Sequence, residues 1–284
     1  MKKQFVLGLL ITAAVFLVGC PNGSTTVSPT ITFHPNGGTG TMEDRTVAEG
    51  ETFTLPSNTF TRSNCTFLGW STSAGGDVEY ADEADFTAGS ADVDLYACWC
   101  FHLDDFEDGD KVNPLNTWTL AYDSGSTTIS TFDPTAPPPG AGSYALEVAA
   151  EMETDQGTGP YWETLNVYTG PVGSSTPADI SDFDTVIFGL SFSGSFIDDT
   201  DPDVRPEIDL QMGDGSGNSI SYELLDDFAA TYQEYSIALS DFTVVGSLDA
   251  VTAGLKDFRF SVFVWGNATN RMDFTLVVDD IRFE

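Results

Sequence analysis

The sequence predicts an all-β protein, a small strand-and-turn segment followed by a larger β-sandwich. Three observations carry this. Beyond residue 100 the chain is a succession of short alternating runs separated by Gly, Pro, Asp and Ser clusters. No segment holds a long helical period. Ahead of residue 100, short β-prone runs are punctuated by Asn36-Gly37-Gly38, which supplies the positive φ of tight turns.

The chain begins with a basic head, Lys2-Lys3, and a nearly unbroken apolar run from Phe5 to Val18, ending Leu17-Val18-Gly19-Cys20. This is the pattern of an export signal, and the run is shorter than the ~20 apolar residues that span a bilayer. Its end resembles the lipobox of bacterial lipoproteins. That resemblance implies lipidation of Cys20, loss of residues 1–20 and tethering to a membrane through lipid. Pro21 is not the Asp that retains many lipoproteins in the inner membrane, so the expected address is the cell envelope, at the outer membrane or cell surface.

Removing the leader leaves 264 residues, more than one typical domain of ~100–200. With Lys2 and Lys3 gone, 8 basic residues stand against 44 acidic ones, a net charge of −36. Such a field repels phosphate backbones and anionic lipid headgroups and excludes nucleic acid as a partner. It suits oxygen-seeking cations such as Ca²⁺, although for most of these acids solubility is reason enough.

Residues 21–30, rich in Ser, Thr, Pro and Gly, read as a flexible tether. Strands follow at Ile31–His34 and Glu51–Leu55. The blocks Phe33-His34-Pro35-Asn36-Gly37-Gly38-Thr39-Gly40, Thr66-Phe67-Leu68-Gly69-Trp70-Ser71-Thr72-Ser73, Tyr80 and Leu95-Tyr96-Ala97-Cys98-Trp99 come in the order and spacing of a Listeria–Bacteroides repeat, which residues 31–99 resemble. The resemblance implies a β-grasp-like surface module without chemistry of its own. Trp70 and Trp99 lie in apolar strand contexts and are expected in the core. Three cysteines, Cys65, Cys98 and Cys100, remain beside Cys20; they cannot all pair internally, and export makes a disulfide plausible. Cys65 and Cys98 replace the family's usual Tyr and a polar residue, which favours a Cys65–Cys98 bridge.

The larger part, residues 101–284, has candidate strands at 144–149, 162–169, 185–192, 207–212, 219–224, 232–238, 258–264 and 274–283. Val186, Phe188, Leu190 and Phe192 alternate, as do Phe258, Phe260, Val262 and Val264, each set marking one buried face. The opening Leu103-Asp104-Asp105-Phe106-Glu107-Asp108-Gly109, the closing Leu276-Val277-Val278-Asp279-Asp280-Ile281-Arg282-Phe283 and the intervening Asp179–Phe188 and Tyr235–Phe242 stretches resemble the galactose-binding-like jelly rolls of carbohydrate-binding modules, family 11 among them. In such a fold the first and last strands meet, which brings Asp105 and Glu107 to Asp279 and Asp280. The resemblance implies a structural Ca²⁺ there, with Glu107 and Asp280 as leading side-chain ligands and Asp105 and Asp279 behind them; the plain alternative is two solvated acidic turns.

Sugars are gripped by aromatic faces and hydrogen-bonding side chains. On 205–212, Ile208, Leu210 and Met212 point inward, which leaves Arg205, Glu207, Asp209 and Gln211 on the other face. Arg259 and Trp265 take the outward phase of their strand, and Tyr161 (or Trp162) and Tyr168 lie on a further one. If these strands are neighbours, the residues form an aromatic-rimmed polar groove; otherwise they are a solvated face. The two histidines, His34 and His102, sit in no nucleophile or metal constellation, and no G-x-S-x-G elbow, zinc motif or phosphate loop occurs. Carboxylate pairs are too abundant to signal a glycosidase. The expectation is a lipid-anchored, non-enzymatic surface protein that binds a polysaccharide or glycan through residues 101–284. The alternatives are an adhesion or structural lipoprotein with a protein partner, and an accessory to a secreted enzyme complex.

Overall fold

The computed structural model describes residues 28–122, 127–135, 142–153, 161–170, 177–196, 206–224, 231–266 and 271–284, without the side chains of 153, 161–163, 195, 196, 206, 264–266 and 271. The signal segment, Cys20 and most of the tether lie outside this set. Among the described residues no helix is long and apolar enough to cross a membrane.

The first part contributes β1 (Thr30–His34), β2 (Arg45–Thr46), β3 (Thr52–Thr54), β4 (Cys65–Ser71), β5 (Asp85–Thr87) and β6 (Val93–Asp104). β6 pairs in parallel with β1 and antiparallel with β4, while β3 and β5 form a separate two-stranded ribbon. Trp70 is fully buried against Phe33, Phe60 and Phe67. Trp99 is buried too, its indole N–H donating to the Pro35 carbonyl at 2.9 Å. Asn36 and Gly37 hold the expected positive φ. One residue too many on β4, Leu68, makes a bulge between Phe67 and Gly69. Gly69, at φ 152°, passes so close to Tyr80 that a Cβ would lie 2.5 Å from the Tyr80 carbonyl oxygen.

The second part adds β7 (Thr119–Tyr122), β8 (Thr128–Thr135), β9 (Ala145–Glu153), β10 (Tyr161–Thr169), β11 (Thr185–Phe196), β12 (Pro206–Gly213), β13 (Ser219–Glu223), β14 (Gln233–Ala238), β15 (Thr243–Val245), a short helix α1 (Leu248–Ala253), β16 (Asp257–Gly266) and β17 (Arg271–Phe283). One sheet of the sandwich contains β8, β9, β17, β11 and β14; the other runs β15-β13-β12-β16-β10-β7. The predicted inner faces are buried: Val186, Phe188, Leu190 and Phe192 on the first sheet, Ile208, Leu210, Met212, Phe258, Phe260 and Val262 on the second. Phe188 meets Phe260 across the interior at 5.3 Å. The protein is all-β, and its large part is a two-sheet jelly roll.

β6 runs from the repeat into the sandwich, through residue 100, without a break. At Phe101 the strand is flanked by Cys65 of β4 on one side and Phe283 of β17 on the other. Phe101 packs against Phe183 and Phe283 with ring centroids 6.3 and 6.1 Å apart, and Arg62 lies over Phe183 and pairs with Asp182 at 2.8 Å. The repeat and the sandwich therefore share one nine-stranded sheet.

The expected Cys65–Cys98 bridge is absent; Cys65, Cys98 and Cys100 are free thiols. Cys65 stands opposite Phe101 and Cys98 opposite Gly69. Three rungs of strand, roughly 10 Å at ~3.4 Å per residue, separate them, beyond the reach of a disulfide. Burial raises the pKa of all three thiols, that of Cys100 to about 12.

Candidate functional site

The outward face of the six-stranded sheet is the candidate site. The strands that carry the predicted polar row are neighbours, in the order β13-β12-β16-β10-β7, and their registers align the outward side chains in rungs. Ser221, Gln211, Arg259, Tyr168 and Thr119 form one rung; Glu223, Asp209, Ser261 and Asn166 form the next; Glu207, Phe263 and Thr164 form a third. The opposite phase of the same strands fills the core, so the sequence pattern fixes which residues reach the surface.

The side chains of this face are partly shielded from solvent. Tyr168, Glu207, Asp209, Gln211 and Arg259 are half-buried, and Ser261 and Thr164 are 1% and 5% exposed. Ser261 donates to the Asn166 side-chain oxygen at 2.7 Å, and Arg259 is bonded to Asp257 at 3.0 Å. Among the described residues Arg259 Nε and Thr164 Oγ1 are buried with no hydrogen-bond partner, and orphaned polar atoms of this kind are costly unless a ligand or water serves them. Burial raises the Asp209 pKa, opposed by the Gln211 amide and reinforced by Glu223 and Glu207.

Of the eight predicted carbohydrate contacts, Tyr168, Glu207, Asp209, Gln211 and Arg259 come together here. The side chains of Tyr161 and Trp265, and Arg205 altogether, lie outside the described residues. Thr164, Asn166, Ser261 and Glu223 share the face and were not predicted. Asn166 and Ser261 are in phase with Tyr168 and Arg259, a signal the sequence does contain; that Glu223 faces Asp209 depends on register, which it does not reveal.

The meeting of first and last strands brings together part of the predicted carboxylate set. Ile281 pairs with Asp104, Arg282 with His102 and Phe283 with Phe101. Glu107 accepts from the backbone N–H groups of Ser143 at 2.5 Å and Tyr144 at 3.1 Å, which lowers its pKa. Asp279, 2% exposed, accepts from Gly142 N–H at 3.3 Å and from the Tyr232 hydroxyl at 3.4 Å. Burial pushes its pKa up to about 6, with Asp280 and Glu107 adding to the rise. Gly142 lies so close to Glu107 that a side chain there would collide with the carboxylate. Asp105 and Asp280 do not join them. Asp105 caps its own turn by accepting from Glu107 N–H at 3.2 Å. Asp280 has φ 45°, breaks the strand's alternation and is held by Arg282. Among the described residues no three His, Cys, Asp or Glu side chains converge as a metal cage. Glu107 and Asp279, two carboxylates without a bonded Lys or Arg in the described structure, suit a Ca²⁺ only if backbone carbonyls complete the shell.

A buried group the sequence did not mark lies beside this junction. Asp104 accepts from Phe106 N–H at 2.9 Å and from the Trp118 indole at 2.6 Å. Burial, stronger than these bonds, pushes its pKa up to about 7.

Residues 30–98 match the family described as the Listeria-Bacteroides repeat domain. No curated protein matches the sequence. Solved structures similar to about 65% of the chain include carbohydrate-binding modules. A family 61 module in complex with β-1,4-galactotriose is 15% identical, covers 64% of this chain and 94% of its own, and has a TM-score of 0.30. A family 27 module of Caldicellulosiruptor saccharolyticus in complex with mannohexaose is 19% identical, with coverage of 65% and 96% and a TM-score of 0.37. A β-1,2-glucanase from Parabacteroides distasonis is 13% identical over 64% of this chain but 24% of its own, at a TM-score of 0.39.

Proposed function

We propose that this is an exported surface protein, lipid-anchored at Cys20, whose sandwich binds a polysaccharide on the outward face of the six-stranded sheet and performs no chemistry on it. The observation that carries the reading is the half-buried Gln211–Arg259–Tyr168 rung, with Arg259 Nε buried within it and without a hydrogen-bond partner among the described residues. A guanidinium and amides for hydroxyls beside a tyrosine ring for a sugar's C–H face are the groups such recognition needs. A Ca²⁺ held by Glu107 and Asp279 would brace the junction of first and last strands, a stabilising role remote from binding. The test is a glycan array on the soluble mature protein with and without a chelator, followed by Arg259→Ala and Tyr168→Ala. Each substitution is expected to weaken binding about tenfold or more, the size of one charge-assisted hydrogen bond or stacking contact. Unchanged affinity in both would refute the site.

A second reading, a protein partner, is favoured by one feature. The β4 bulge turns Leu68 out, 39% exposed, towards Val78, 44% exposed, in a groove also lined by Trp99 and Phe183. A silent glycan array together with loss of partner binding in Leu68→Ser would support it.

A further inference from the structure

Two aromatic rings on the outward face of the six-stranded sheet lie outside the core. Tyr168 on β10 and Phe263 on β16 are half-buried, and neither packs into the hydrophobic cluster between the sheets. Each stands directly opposite a buried polar atom that has no partner among the described residues. Across the β10–β16 pair Tyr168 faces Arg259, whose Nε is unserved, and Phe263 faces Thr164, whose hydroxyl is unserved. Thr164 is 5% exposed, and its neighbour Leu165 fills the core, so the Thr164 side chain takes the outward phase. The two pairs are placed symmetrically about the rung of Asn166 and Ser261. The local two-fold axis of an antiparallel pair through that rung exchanges ring with ring and polar residue with polar residue. The middle rung stays low: Ser261 is 1% exposed and donates to Asn166 Oδ1 at 2.7 Å. Four residues of strand at ~3.4 Å and one interstrand step of ~4.8 Å set the Tyr168 and Phe263 Cα atoms about 14 Å apart. A disaccharide reaches one ring, and a longer chain spans both. The line that joins them follows the strands and not the rungs. Arg259 is paired with Asp257 at 3.0 Å, so no unbalanced positive charge waits here, and the chain's net charge of −34 repels polyanions.

We propose that this face binds a linear neutral glycan that lies along β10 and β16, with one sugar ring stacked on Tyr168 and another, further along the same chain, on Phe263. A sugar hydroxyl beside the first ring serves Arg259 Nε, and one beside the second serves Thr164 Oγ1. The inference rests on the carbohydrate-binding reading and deepens it: Phe263 and Thr164 become ligand contacts, and chain length becomes a condition of tight binding. Aromatic rings supply flat apolar area for the C–H faces of sugars. Two modest contacts joined by one chain reinforce each other, because engaging the first raises the effective concentration of the second.

Titration calorimetry on the soluble mature protein, with β-1,4-linked hexamers of glucose, mannose and galactose each beside its dimer, tests it. At least one hexamer is expected to bind about tenfold or more tightly than its dimer. Phe263→Ala should bring that hexamer down to nearly the affinity of its dimer, whereas Phe263→Tyr, which keeps the ring, should hold the preference. Thr164→Val should weaken the hexamer about fivefold, the size of one hydrogen bond. It should leave the melting temperature unchanged or raised, because the lost hydroxyl has no partner in the fold. A hexamer affinity reduced by Tyr168→Ala but unmoved by Phe263→Ala would place the chain across the strands, overturning the inference and leaving carbohydrate binding standing. A dimer that binds as tightly as its hexamer would do the same. No binding of any hexamer or array glycan would sink both.

Discussion

Replacing Phe101 by alanine tests whether the repeat and the sandwich are one folding unit. Phe101 is 4% exposed, packs on Phe183 and Phe283, and is laddered to β4 and β17 at the same rung. A buried Phe→Ala change costs ~3–5 kcal/mol. For a chain of this size each kcal/mol is worth roughly 2–4 °C, so the melting temperature should fall by about 10 °C. Calorimetry is expected to show a single transition in both wild type and variant. Hydrogen exchange followed separately at β4 and β16 should show both regions losing protection together. Two resolved transitions, with only one displaced by the substitution, would refute the shared-strand argument.

Asp104 should make the fold pH-sensitive. Burial sets its pKa in the folded chain near 7, above the value of an unfolded Asp, so its contribution is fully present in acid and lost as pH rises through neutrality. Asp104→Asn should flatten the fall in unfolding free energy between pH 5 and 7 by an amount of order 2 kcal/mol; an unchanged slope would count against the assignment. Chelation should lower the melting temperature by several degrees, as loss of a ligand present at about 100 times its Kd removes ~2.7 kcal/mol. Glu107→Gln and Asp279→Asn should erase that response while Asp105→Asn keeps it. Intact-mass measurement should find Cys65, Cys98 and Cys100 all reduced, with Cys100 slowest to alkylate; a mass two hydrogens lighter would contradict the free thiols.

The sandwich was legible where alternation is strong. The eight strands read from the sequence correspond to β9–β14, β16 and β17, because each sets apolar residues at every second position against a core. β8 was missed because Thr128–Thr135, a polar run with a proline, sits at the sheet edge and buries little. The repeat's motif ends at Trp99, but the strand that carries it runs on to Asp104, a continuity that motif spacing does not reveal. The acidic ends were found, but Asp280's left-handed backbone sends adjacent carboxylates to different partners, which alternation alone does not foretell. Asp104 stayed hidden among more conspicuous acids because its burial depends on Trp118, fourteen residues away.

β1 and β6 lie side by side and parallel, from Ile31 against Val93 to His34 against Tyr96. A load that enters at the start of β1 and leaves through the far end of β6 pulls the two strands past each other lengthwise. All four rungs then resist at once, where a hairpin drawn apart from its open end would yield one rung at a time. The order of pairing, and not the number of contacts, decides how firmly the sandwich is held against such a pull.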